Sequence, residues 1–240
     1  MIVTSGVPLH IVLFYGRFDA DDTLWVNETF FREAELEFAR LLGAYETANK
    51  IDQELFKKEM DNLELYGYGV KAFVLSMVES AIEISNGSVS NKTLGKILDI
   101  GKSMINQPVE LLDGVEEVLK SLSKKYRLIL ATKGDLLDQE RKLEKSGLTD
   151  YFHHIEVLSD KKEANYSKLL NHLDINPSEF LMIGNSLKSD ILPLLQIGAI
   201  AVHVPFHTTW KHEEVSHNQA KNADYITLGS LKELLNYLKQ

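Results

Sequence analysis

The chain has 240 residues, of which 44% are hydrophobic and 25% charged, the balance of a folded globular protein rather than a disordered one. A formal net charge of -9 gives no electrostatic reason to expect nucleic acid or an anionic membrane as partner. The absence of cysteine excludes disulfides and thiol catalysis, leaves oxygen and imidazole as the ligands of any tight metal site, and, with no leader or spanning segment, fits a cytoplasmic protein.

The first predicted element is a buried strand, HIVLFYGRF, whose apolar run Ile11 to Tyr15 is too short to cross a bilayer. Gly16 and Arg17 interrupt it, and an arginine in such a strand is expected to reach a carboxylate or solvent at the strand end. Three carboxylates follow in FDADDTLW: Asp19, Asp21 and Asp22. Two ionised carboxylates about 6 Å apart repel by roughly 3 kcal/mol at an effective dielectric near 20. Protonation, solvent or a bound cation must offset that cost. An acidic turn capping the next helix is the plain alternative.

From Glu28 the pattern is helical, with Phe30, Phe31, Ala34, Phe38, Leu41 and Leu42 at helical spacing, and it stays helical to about residue 106. SNGSVSN, residues 85–91, reads as a turn within this block. After Pro108 and the Asp113-Gly114 pair, an amphipathic helix is followed by alternating strands and helices. Strands are predicted at 127–132, 155–158, 180–184 and 199–204, with helices at about 135–146, 163–173 and 188–197. Continuous apolar strands separated by helices define a parallel sheet covered on both faces, here an α/β core of three α/β/α layers. The first strand has the same texture and belongs to that sheet, so residues 28–106 form an all-helical insertion into a core made of residues 1–27 and 107–240.

Ligands of an open parallel sheet bind beyond the carboxyl ends of its strands. Those ends carry Asp19 and Asp21, then Thr132 with Lys133 and Gly134, then Lys161 and Lys162, then Asn185 and Asp190. A strand-end threonine, a loop lysine or a first-turn aspartate each has an ordinary structural use; the ordered set is harder to explain that way.

The segments DADDTL, ILATKGD, SDKKEANY and IGNSLKSD, in that order, resemble the four motifs of the haloacid dehalogenase-like superfamily, in its phosphatase branch with a helical cap inserted after the first motif. The resemblance implies a Rossmann-like core and Mg²⁺-dependent hydrolysis of a small phosphorylated substrate through an aspartyl-phosphate. It makes Asp19 the nucleophile, Asp21 the general acid and base, Thr132 a phosphoryl hydrogen-bond donor and Lys161, in preference to Lys162, the compensating cation. Backbone N–H groups of Lys133 and Gly134 would assist Thr132. Asp22 would be a turn residue. The implied metal set is Asp19, Asp21, Asn185 and Asp190. Asn185 stands where relatives often have aspartate, so weaker magnesium binding is expected, with either Asn185 or Asp190 taking the larger share.

Trp25, Asn27 and Lys71 are candidate substrate contacts from the flap and the cap. A phosphomutase of the beta-phosphoglucomutase type, or a phospho-ligand or protein-binding member of weak activity, would keep most of the same motifs. His203, His207, His212 and His217 fit no zinc spacing and read as surface-loop residues, with Trp210 and His212 bordering the site mouth or a dimer contact. Monomer and homodimer stay open.

Overall fold

A computed structural model describes residues 15–221 and 223–239. Of the predicted first strand, Tyr15–Phe18 form β1, and residues 10–14, with most of the Ile11 to Tyr15 run, lie outside the described residues. Four helices follow: α1 (Glu28–Leu42), α2 (Ala48–Tyr66), α3 (Val70–Ile84) and α4 (Asn91–Asn106). The chain then continues through α5 (Val115–Leu122), β2 (Arg127–Lys133), α6 (Leu136–Ser146), β3 (His154–Leu158), α7 (Glu163–His172) and β4 (Phe180–Gly184). It closes with α8 (Leu192–Gln196), β5 (Ile200–His203), α9 (His217–Lys221), β6 (Ile226–Thr227) and α10 (Glu233–Tyr237).

All strand pairs are parallel, in the order β3-β2-β1-β4-β5-β6. Side chains alternate across this sheet, as the strand period of two requires. Leu128 and Leu130 of β2 join a core with Phe18, Leu119 and Ile183 on one face, while Ile129 joins Tyr166, Phe180, Met182 and Leu194 on the other. Helices therefore cover both faces, the three-layer arrangement expected from near-continuous apolar strands. The helical block has its own core, with Phe38, Leu42, Ile51, Leu55, Phe73, Met77 and Ile97 packed together. SNGSVSN is the turn between α3 and α4.

The strand order places the site. From β1 in mid-sheet the chain moves outward to β2 and β3, and returns on the other side of β1 to form β4. Adjacent β1 and β4 thus send their exits in opposite directions, which opens a crevice at their carboxyl ends. The two connections of the helical block run together there, with Val26 N–H donating to the Glu110 carbonyl at 2.9 Å and Leu112 N–H to that of Leu24 at 2.9 Å.

Two features differ from the sequence expectation. The helix predicted at 188–197 is a π-helical turn, Leu187–Ile191, that passes into α8. Pro193 has no N–H to continue an unbroken ladder, and the wider turn accommodates it while swinging Ser189 and Asp190 inward, both buried. The sheet also gains β6, a two-residue strand too short for any periodicity to reveal. No described helix is long and apolar enough to cross a membrane.

Candidate active site

Asp19 follows β1 directly, and its N–H continues the ladder to the Ile183 carbonyl at 2.9 Å. It is 6% exposed. Lys161, delivered by the loop after β3, places its ammonium on Asp19 Oδ1 and 2.7 Å from Asp190 Oδ1. Lys162 points away, with a side chain 73% exposed and paired to Asp160 at 2.7 Å. Burial and Asp190 push Asp19 up to about 7, while Lys161 draws it down. Burial alone would depress Lys161, but Asp19 and Asp190 hold it raised, so it stays an ammonium.

Asp21 is held by three donors. Trp25 Nε1 lies 2.7 Å from Oδ1, Lys142 Nζ 2.7 Å from the same oxygen, and Gln139 Nε2 2.8 Å from Oδ2. Against the opposing effect of burial, Lys142 in particular lowers the Asp21 pKa. Asp22 shapes the turn: its φ of 59° is a left-handed conformation in which glycine is the easier residue, and its carboxylate accepts from the N–H groups of Asn27 at 2.8 Å and Glu28 at 3.0 Å.

Thr132 is buried at the end of β2, and Lys133 continues beyond it. The Lys133 ammonium does not reach for a ligand. It pairs with Glu213, donates to Ser189 Oγ at 2.9 Å and lies 4.3 Å from the centre of the Tyr68 ring. Gly134 has a φ of 144°, and a side chain there would meet Gln139 Nε2 at 2.9 Å.

The Asn185 carboxamide sits between Thr23 Oγ1, 3.1 Å away, and, with the amide turned to satisfy its neighbours, the Asp21 carbonyl at 3.1 Å and Asp19 Oδ2 at 3.3 Å. Asp190 has both oxygens engaged, one by Lys161 and the other by the Ser186 N–H at 3.0 Å. Gly184 permits this, since a Cβ there would lie 2.4 Å from Asp190 Oδ2. In the orientation given above the Asn185 amide nitrogen donates to both the Asp21 carbonyl and Asp19 Oδ2; turned the other way, its oxygen joins an Asp19 oxygen and the Asp21 carbonyl at one point, a hard-oxygen set suited to Mg²⁺. Among the described residues no three His, Asp or Glu side chains form a metal-holding group, so this set carries less charge than an all-carboxylate one.

A cavity of about 160 Å³ connects these groups to the helical block. Asp19, Asp21, Asn27, Thr132, Lys133, Lys161 and Asn185 line it. Four sequence candidates do not: Gly134 and Asp190, placed above, and Trp25 and Lys71. Trp25 is fully buried and serves Asp21 instead of a substrate. Lys71 is half exposed and ties α3 to the start of α6 through Asp135 at 2.9 Å. Arg17 also corrects the expectation: it is 0% exposed, none of its guanidinium nitrogens has a hydrogen-bond partner among the described residues, and it stacks 4.6 Å from the centre of the Tyr166 ring. His203 lies in β5 rather than a surface loop, with its ring nitrogen 3.0 Å from the Asn185 carbonyl.

Gln139, Lys142 and Glu213 are site residues that the sequence reading passed over. Gln139 and Lys142 are three apart, hence on one face of α6. The available signal was a glutamine on the stripe of Leu136 and Leu143, three and four residues away, where an amphipathic helix should be apolar. Glu213 had none: it arrives from the loop after β5 and is held down at about 2, despite burial, by Lys133 and by hydrogen bonds from Ser186 and Ser189.

This fold and strand-end geometry define a haloacid dehalogenase-like hydrolase. The profile of that family matches residues 18–198, and the chain belongs to it. It is similar to human N-acylneuraminate-9-phosphatase, 28% identical over 192 residues covering 75% of this chain and 77% of the relative. A Pyrococcus furiosus glyceraldehyde 3-phosphate phosphatase is 27% identical over 53% of this chain and 54% of its own. Among solved structures, a haloacid dehalogenase-like family hydrolase from Xanthomonas campestris superposes with a TM-score of 0.84 at 34% identity, covering 95% of this chain and 91% of that one.

Proposed function

We propose that this hydrolase is a phosphatase that cleaves small phosphomonoesters with Mg²⁺, through a phosphoryl group held transiently on Asp19. The observation that carries the reading is the meeting of Asp19, Thr132 and Lys161 at the head of one cavity, with Asp21 beside them. A carboxylate attacks phosphorus without first losing a proton, and Lys161 favours that form of Asp19 against the burial that raises its pKa. Thr132 Oγ and the amides after it would orient and stabilise the phosphoryl oxygens. Asp21 would give a proton to the departing alkoxide oxygen and later take one from water at the aspartyl-phosphate. Asp19, the Asp21 carbonyl and Asn185 would hold the metal, with Asp190 fixing Lys161 and the Ser186 turn rather than binding the ion directly. The bound metal would supply charge neutralisation of the phosphoryl oxygens.

Residues 28–106 act in this reading as a cap over a core made of residues 1–27 and 107–240. The family profile, the curated phosphatases and the acid-hydroxyl-lysine geometry support it. The acidic, cysteine-free composition supports a cytoplasmic enzyme that does not act on nucleic acid. The test is phosphate release from an aryl phosphate with and without Mg²⁺, by the native chain and by Asp19→Asn. Metal-dependent release that vanishes in the variant is expected; release that persists in Asp19→Asn would sink the mechanism. An isomerised sugar phosphate without free phosphate would identify a mutase instead.

A further inference from the structure

We propose that the cavity selects monophosphates whose organic part carries a cationic nitrogen. The inference rests on the phosphatase reading for the phosphate end of the cavity and concerns its opposite end.

That end is formed by α1, α2 and α3 together with the loop after β5, and three carboxyl groups face it: Glu28, Glu35 and Glu59. One cation serves them. Arg32 lies 3.2 Å from Glu28 and 2.8 Å from Glu35, and its remaining reach goes to the Thr209 carbonyl at 3.2 Å. Its donors are thus spent within the protein, so it does not offer itself to an anionic ligand. Glu59 has no salt-bridge partner among the described residues, and its buried Oε1 receives no hydrogen bond. Glu28 is 7% exposed, and its Oε1 likewise accepts no hydrogen bond, the Arg32 ion pair at 3.2 Å being its compensation. A buried acceptor left without a donor costs free energy, so Glu59 Oε1, which the Trp210 contact to that side chain leaves unserved, calls for a ligand that brings a donor, beside a Glu28 carboxylate compensated by Arg32 alone.

The remaining wall says which donors. Phe31 and Phe73, with ring centroids 5.1 Å apart, and Trp210 face the same space. Aromatic faces beside carboxylates receive an alkylammonium well, since ring and carboxylate both attract it. Burial pushes Glu28 and Glu59 up to about 8, so the free pocket holds protons that an arriving cation would displace. A ligand ending in a carboxylate brings acceptors to a wall of acceptors and no charge to attract them, and one ending in a hydroxyl brings a donor without a charge.

The test uses the intact chain carrying Asp19→Asn, which binds esters without turning them over, and measures dissociation constants by calorimetry in the presence of Mg²⁺. The probes are ω-amino, ω-hydroxy and ω-carboxyalkyl monophosphates of matched chain length. The amine should bind roughly tenfold more tightly than the hydroxyl ester, and the carboxylate more weakly than both. Adding Glu59→Gln, with Glu28→Gln as a second variant, should bring amine and hydroxyl to within about twofold of each other. Equal affinity for the three probes, a preference for the carboxylate, a hydroxyl preference, or a ranking untouched by both glutamate variants would each overturn the proposal. Phosphate release by the native chain with no such ranking would refute this inference and leave the phosphatase reading standing. The ranking without release would do the reverse.

Discussion

Lys142 Nζ lies 2.7 Å from Asp21 Oδ1 and 3.0 Å from Asn27 Oδ1, so one ammonium on α6 joins the expected general acid to the flap. This contact lowers the pKa of a group that must carry a proton when the leaving oxygen departs. Substitution by Lys142→Gln removes that charge and should raise the Asp21 pKa. The check is the pH profile of kcat/KM, whose Asp21-dependent limb is expected to move to higher pH. An unmoved limb would show that Lys142 does not govern this ionisation.

Asn185 replaces a carboxylate with a neutral amide at the candidate metal point. Asn185→Asp adds charge beside a divalent ion, so the Mg²⁺ concentration giving half-maximal binding should fall roughly tenfold. Calorimetric titration of metal-free protein measures this independently of turnover. The same variant without metal should be less stable, because a third carboxylate then crowds Asp19.

Arg17 is buried with its three guanidinium nitrogens unpartnered among the described residues, and burial lowers its pKa. Stacking on Tyr166 offsets only part of the desolvation cost. Arg17→Met, of similar length and no charge, should raise unfolding stability by about 1–2 kcal/mol. Urea denaturation decides it; a lower midpoint would show that the guanidinium is needed to balance Asp19 and Asp190.

The pH dependence of stability should have two arms. Glu28 and Glu59 are raised from an ordinary value of 4.5 to about 8, so the folded protein binds more protons than the unfolded chain over that interval. Their contribution therefore weakens as pH rises from 4.5 towards 8. Glu213, lowered to about 2, works oppositely: its contribution is full above 4.5 and is lost as pH falls towards 2. Urea midpoints between these limits should show the two slopes, with Glu59→Gln flattening the upper one and Glu213→Gln the lower.

Much of the fold and the site was legible in the residues because local rules carried them. The apolar run FLMIG became β4 at its predicted bounds, and helical spacing marked residues 28–106, where α1 to α4 lie. The ordered strand ends named Asp19, Asp21, Thr132, Lys161 and Asn185, all of which line one cavity. Trp25 and Lys71 were misread because a residue's place beside a motif does not give its direction: the indole turned inward to Asp21 and the ammonium outward to Asp135.

By itself, then, the sequence determined the parallel α/β architecture, the helical insertion and the chemical types gathered at the strand ends, since period and strand-end position are local properties written residue by residue. Only the tertiary structure decided which groups neutralise one another. Lys142 reaches Asp21 across 121 residues and Lys133 meets Glu213 across 80, distances over which no spacing rule operates. It also decided that Arg17 would be sealed between β1 and Tyr166, and that Glu28, Glu35 and Glu59, ordinary helical glutamates in the sequence, would share one cavity wall. Burial and electrostatic partnership depend on the packing of distant segments, and packing is fixed only when the whole chain has folded.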